Sequence, residues 1–376
     1  MSALLLALAC GGSPSVPSGG GAGADPDQDP VPLDAEFSSE LAWNELERLA
    51  SLGPRPVGSD AAAQARRRIR ERIAGWQIEV EEVTTTAQSE GFGPLLLTHV
   101  IATLPGRSSD RFVLVASYDS GSYEAFAFRG VNDGASGAAL LIELARALSG
   151  RERPYTVQLV WLEGEGRLGR GAETERERRW LGSAGLAERW RQEGLLDGIR
   201  LLVAFNAVCD ADLRIARDLN SHRTHREDFW RAARELGRGD VFPSDARYQN
   251  IASSHTPFRN RGLRRVVAIE DVSFGGDEPP GLFAGEDDAI EHCAPESLES
   301  VGTVTLEALD AIGRRLAKID RYSRTPTAEL EPEDEPAPEA AAPVEPAPEP
   351  TVETPVEPPS EEAAGSGESP DDAAQR

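Results

Sequence analysis

Lysine is almost missing: Lys318 is the only one in 376 residues, and methionine occurs only at Met1. Cysteine occurs three times, at Cys10, Cys209 and Cys293, and aromatic residues make up 6% of the chain. Each shortage excludes something. Positive charge is nearly all arginine, scattered among acids, so no basic patch interleaved with aromatics is offered to a nucleic acid. No Cys-x-x-Cys pair exists, which excludes a cysteine-based metal knuckle. No apolar run reaches the roughly 18–20 residues of a spanning helix. Cys209 and Cys293 could pair in an exported protein, but their distance apart in sequence gives no geometric reason to choose.

Acid is plentiful: 64 Asp and Glu stand against 39 Lys and Arg, a formal charge of −25. Residues 329–376 hold 15 acids and one Arg, so they carry −14 and leave −11 for the rest. Residues 326–376 also hold 12 of the 27 prolines. A segment this poor in large apolar side chains cannot offset its ordering entropy. Residues 323–376 are therefore expected to be a disordered acidic tail that serves as a spacer, with an interaction arm as the alternative.

At the other end, an apolar stretch over 3–9 runs into Cys10-Gly11-Gly12-Ser13. This resembles a bacterial lipoprotein signal, although no Lys or Arg precedes the stretch. The resemblance implies a signal over 1–10, lipidation of Cys10, and a Gly/Ser/Pro-rich tether over 11–35. The protein would then be exported to the cell envelope and touch the membrane only through its lipid. An ordinary frayed terminus with an incidental cysteine is the alternative.

The globular part, 36–322, alternates helix and strand patterns. Positions 39–52 and 60–76 read as amphipathic helices, the second opened by Ser59-Asp60. Positions 78–83 and 95–104 read as strands. Four nearly continuous apolar runs follow, at 112–116, 157–162, 201–205 and 266–269, and suit strands buried on both faces. Apolar residues at helical spacing mark 137–148 and 297–319. The expected fold is α/β with three layers, a mostly parallel central sheet between helices. Ligands of such sheets bind beyond the carboxyl ends of the strands.

Polar residues gather at those ends: Ser117-Tyr118-Asp119-Ser120, Asn132-Asp133, Glu163-Gly164-Glu165-Gly166, Asn206 and Glu291-His292. Together with Gly53-Pro54-Arg55-Pro56-Val57-Gly58-Ser59, Ser136-Gly137, the Glu-Leu-Ala-Arg-Ala-Leu of 143–148, Leu181-Gly182-Ser183 and His255-Thr256-Pro257-Phe258, this set resembles one family. It is that of the zinc-dependent aminopeptidases and glutaminyl cyclases. The resemblance runs from about Asn44 to Leu316. The 14 residues between Gly166 and Leu181, with the His-x-Pro-Phe, lean toward the cyclase branch. It implies a zinc exopeptidase-like fold acting at peptide N-termini, by removing the first residue or cyclising N-terminal Gln.

Carried over position by position, Asp133 and His292 match metal ligands, Glu165 the general base, and Asp119 the acid behind the metal. The remaining positions depart. Ser117 replaces a ligand His, Gly166 a ligand Glu, Asn206 an Asp, and Ser254 the hydrogen-bonding acid of the cyclases. A catalytic zinc takes three protein ligands and an open position, so zinc is expected to be absent or weakly bound. Glu163, His255, His222 and Cys293 are the groups that could rebuild a site. Each also has a plain structural role open to it, and Asp133 could simply cap the helix after it.

The favoured expectation is a pseudoenzyme that still binds peptide N-termini. The alternatives are an active zinc exopeptidase or glutaminyl-peptide cyclotransferase with substituted ligands, and an envelope scaffold acting through its tail.

Overall fold

The computed structural model describes residues 36–89, 93–168, 179–275 and 285–324. Cys10, the 1–10 signal, the 11–35 tether and the tail from 325 onward lie outside the described residues.

Two helices open the fold, α1 (Ser39–Ala50) and α2 (Asp60–Ala74), and each has a serine cap. The Ser38 and Ser59 hydroxyls accept from Leu41 N and Ala62 N, satisfying a donor that the first turn leaves free. Then come β1 (Glu79–Ser89), β2 (Gly93–Leu104), β3 (Ser108–Ser117), α3 (Gly137–Leu148), β4 (Tyr155–Leu162), α4 (Leu181–Gln192) and β5 (Ile199–Asn206). A two-stranded piece, β6 (Arg217–Asp218) with β7 (Tyr248–Gln249), flanks α5 (Arg223–Glu235). The chain continues with α6 (His255–Asn260), β8 (Val266–Glu270) and α7 (Pro295–Arg324).

The main sheet has the order β1-β2-β4-β3-β5-β8. Pairings β4–β3, β3–β5 and β5–β8 are parallel, while β1–β2 and β2–β4 are antiparallel. Alternation along β3 explains the layers. Phe112, Leu114 and Ala116 face a core built with α1, α2, α3, α5 and α7, and Val113 and Val115 face a second core with α4 and Phe258 of α6. Helices therefore cover both faces of the sheet, as expected.

Two boundaries differ from the sequence reading. Strand β1 runs on to Ser89 because it pairs with β2 along its whole length. Helix α7 continues to Arg324, past the expected tail start at 323. In its last turns Asp320 accepts from Arg200 and the Tyr155 hydroxyl, which ties the helix end to β4 and β5. No helix among the described residues is long and apolar enough to cross a membrane.

Candidate functional site: acids at the strand ends

Strands β3, β4, β5 and β8 end side by side, and the loops leaving them carry most of the candidate residues. Asp119, just past β3, is 1% exposed and accepts from the backbone N–H groups of Gly164 (3.1 Å) and Glu165 (3.3 Å) past β4. Burial, then the charges of Glu165 and Glu163, push its carboxyl well above the ordinary range. Asp119 thereby fixes the backbone that presents Glu165.

Glu165 is buried and doubly held. Ser183 N, in the first turn of α4, donates to Oε1 at 2.6 Å, and the Ser254 hydroxyl donates to Oε2. Burial raises the carboxyl to about 6, even though Ser254, Ser183 and the charge of Arg179 favour ionisation. Close packing places α4 here: a Cβ on Gly182 would lie 1.8 Å from the Glu163 carbonyl oxygen, so only glycine fits.

Asp133 does not cap α3. It sits in an irregular turn, Val131–Ser136, with Asp133 (φ −84°, ψ 83°) and Gly134 (φ 129°, ψ −52°) outside helical geometry. The carboxylate of Asp288 caps this turn instead, accepting from the N–H groups of Val131, Asn132 and Asp133 at 3.1, 2.7 and 3.0 Å. Gly134 is required because a Cβ there would stand 2.3 Å from the Asp119 carbonyl oxygen. The Asp133 side chain itself meets the guanidinium of Arg179 at 3.6 Å.

At Gly166, where the family resemblance implies a side-chain ligand, there is no space for one. A Cβ would lie 2.6 Å from Gly121 N and 2.8 Å from the Ser120 carbonyl carbon. Ser122 N donates to the Arg167 carbonyl at 2.7 Å and holds the two segments together. Ser117 is buried at the end of β3. Asn206 donates to Glu270 Oε1 at 3.3 Å, the residue it pairs with across β5–β8. Burial raises Glu270 to about 8, in spite of help to its charged form from Ser253 and Asn206.

His292 lies in a short turn, Ile290–His292, with its ring edge-on to Phe274 at 6.4 Å. Cys293 is not a ligand but half of a disulfide with Cys209. That bridge, with the Ala211 N to His292 carbonyl bond at 2.9 Å, ties the exit of β5 to the entry of α7. Among the described residues, no three or more His, Cys, Asp or Glu side chains are arranged to hold a metal ion.

Two crevice candidates are corrected. Glu163 does not point along with Glu165, because β4 ends at Leu162. Its carboxylate turns back to Thr98 N (2.8 Å) and Gly58 N (3.4 Å), beside Arg66. His255 is fully buried with Nε2 3.2 Å from Asp218 Oδ2, and it anchors α6 to β6. His222 caps α5, accepting from His225 N through Nδ1. Arg179, Glu270 and Asp288 are crevice residues that the sequence reading missed. Glu270 alone carried a signal, being the polar residue directly after an apolar strand run.

A mixed six-stranded sheet between helix layers, with its acids at the strand ends, defines a zinc exopeptidase-like α/β protein. Residues 99–309 match Peptidase family M28, and the chain belongs to that family. Over 296 residues it is 26% identical to glutaminyl-peptide cyclotransferase of Bos taurus, covering 73% of this chain and 80% of that one. Over 136 residues it is 35% identical to the Bos taurus glutaminyl-peptide cyclotransferase-like protein, spanning 33% of this chain and 34% of that relative's length. The crystal structure of an Acidobacteriales bacterium glutaminyl cyclase aligns with a TM-score of 0.66 at 27% identity, covering 78% of this chain and 100% of that one. A Zn-dependent exopeptidase from Parabacteroides distasonis shares the fold, with a TM-score of 0.66 at 18% identity over 74% of this chain and 99% of that one.

Proposed function

We propose that this protein is a pseudoenzyme of the M28 family whose crevice binds peptide amino termini without metal-dependent chemistry. Gly166 is the observation that carries this. The position expected to supply a zinc-ligating Glu has no side chain, and neighbouring backbone fills the space one would need. Ser117 and Asn206 add only neutral oxygens, and Asp133 is already engaged by Arg179. The residues present do not fit a catalytic zinc, which takes three good ligands around an open position.

Without a metal, bound water keeps its pKa near 15.7 and the substrate carbonyl is not polarised. A general base alone contributes roughly 10²–10⁴-fold, far less than peptide hydrolysis requires. What persists is a buried cluster of acids at the strand ends, with Glu165 held in place by Ser183, Ser254 and the backbone that Asp119 fixes. An amino-terminal ammonium is a suitable ligand for it. Assaying the purified full chain for bound zinc and for turnover of aminoacyl and N-terminal Gln peptides tests this. One zinc per chain with chelator-sensitive turnover would overturn it.

A second reading is that the protein remains an active zinc exopeptidase or glutaminyl-peptide cyclotransferase. It is favoured by one observation: Glu165, at about 6, is tuned as a general base would be. It requires that Glu165→Gln abolish turnover, and turnover unaffected by chelator would count against it.

The Cys209–Cys293 disulfide supports export to an oxidising compartment. On that support we propose a cell-envelope protein, anchored by lipid at Cys10 and spaced by its acidic tail. Metabolic labelling with a fatty-acid analogue that persists in Cys10→Ser would reject the anchor.

A further inference from the structure

We propose that Arg179 takes the place of the metal: docked on Asp133, its guanidinium supplies the positive charge around which the crevice acids assemble. This rests on the metal-free reading above and deepens it. The Arg179–Asp133 pair spans 3.6 Å, and Asp133 is the one acidic ligand of the family that this chain keeps. The arginine is held in position. Its neighbour Trp180 adopts a left-handed backbone (φ 59°) and donates its N–H to the Glu165 carbonyl at 3.3 Å, while the guanidinium lies over the Trp180 ring at 5.6 Å. The Arg179 side chain is about three-quarters buried, at 24% exposure. It therefore acts in a medium where charge is felt more strongly than in water.

Its reach extends beyond Asp133. Arg179 favours the charged forms of both Glu165 and Glu270, while Asp133 opposes that of Glu270. A divalent ion brings two positive charges to balance several ionised ligands. Here two ligand positions are neutral, Ser117 and Asn206, and one is empty, Gly166. One guanidinium matches what is left. It also lacks the Lewis acidity to polarise a carbonyl as zinc would, which agrees with a crevice that binds without reacting.

A double-mutant cycle on the full chain tests the role, read as the thermal midpoint with and without EDTA. Arg179→Gln is expected to lower the midpoint by about 2–4 °C. In an Asp133→Asn background the same change should cost less than half as much, because the charge it compensates is gone. Arg179→Lys, which keeps the charge and changes the shape, should retain most of the wild-type midpoint. EDTA should shift none of the proteins. Equal costs of Arg179→Gln in both backgrounds, or Lys behaving like Gln, would overturn the role. Bound zinc in the wild type would instead overturn the metal-free reading, so the two failures are distinguishable.

Discussion

Two halves of the strand-end cluster differ in how they are built. Around Glu165, every element is in place: Asp119 holds the backbone of 164–165, Ser183 and Ser254 hold the carboxylate, and Gly182 lets α4 approach. At the other family positions, Asp133 pairs with Arg179, Ser117 is buried, Asn206 is bonded to Glu270, and Gly166 is pressed on backbone. The first half needs only hydrogen bonds within the protein. The second holds the positions at which the family resemblance implies a metal. Keeping the first half while closing the second is what the proposed metal-free binding role would require.

The comparison can be broken most severely at Asp119. Asp119→Ala leaves two buried N–H groups without an acceptor, at about 1–3 kcal/mol each. Chemical denaturation should show a loss of about 2–6 kcal/mol, and Asp119→Asn should lose less. A cost below 1 kcal/mol would mean that the Glu165 half is not organised by this carboxyl.

Glu270 gives a pH signature for the boundary between the halves. Its pKa is about 8 folded, against the ordinary 4.5, so between those values the folded state binds more protons. Its contribution is then complete below pH 4.5 and is lost as pH rises through 8, by about 1.4 kcal/mol per unit at most. Glu270→Gln should flatten the fall in stability between pH 5 and 8 in urea melts, with Asp133, Arg179, Asn206 and Ser253 unchanged around it. An unaltered pH profile would contradict this.

Gly166→Ala addresses the closed space directly. The added methyl meets backbone at 2.6 Å, and a loss of about 1–3 kcal/mol is expected. If the change is neutral, the segment can move and a side chain could return there. Ser254→Ala should have the smallest effect, about 1 kcal/mol. Because it removes a donor to the charged form, it should raise the Glu165 pKa further above about 6, as followed by carboxyl NMR. A fall in that pKa would show that the serine does not serve Glu165.

Much of this was legible in the chain. The apolar runs at 112–116, 157–162, 201–205 and 266–269 each lie within a strand of the main sheet, because burial on both faces leaves a continuous apolar pattern. The short strand-end motifs led to Asp119, Asp133 and Glu165, since the architecture puts those ends together. Arg179 was not legible: it follows a segment with no periodic pattern, and its meaning depends on what faces it. Asp288 is one of several acids near the start of α7, and nothing local marks it as the cap of a turn 155 residues away. At Gly166 the sequence offered no side chain where the family resemblance implies a ligand. Only the approach of Ser120 and Gly121 showed that its space was filled, and triple replacement at 117, 166 and 206 cannot be expected to rebuild a metal site on this backbone.

The most direct test of the account is the zinc content of the full-length protein after equilibration with zinc and removal of the excess. The account predicts far less than one zinc per chain, unchanged in Asp133→Asn. One zinc per chain, lost in Asp133→Asn and in His292→Ala, would contradict it.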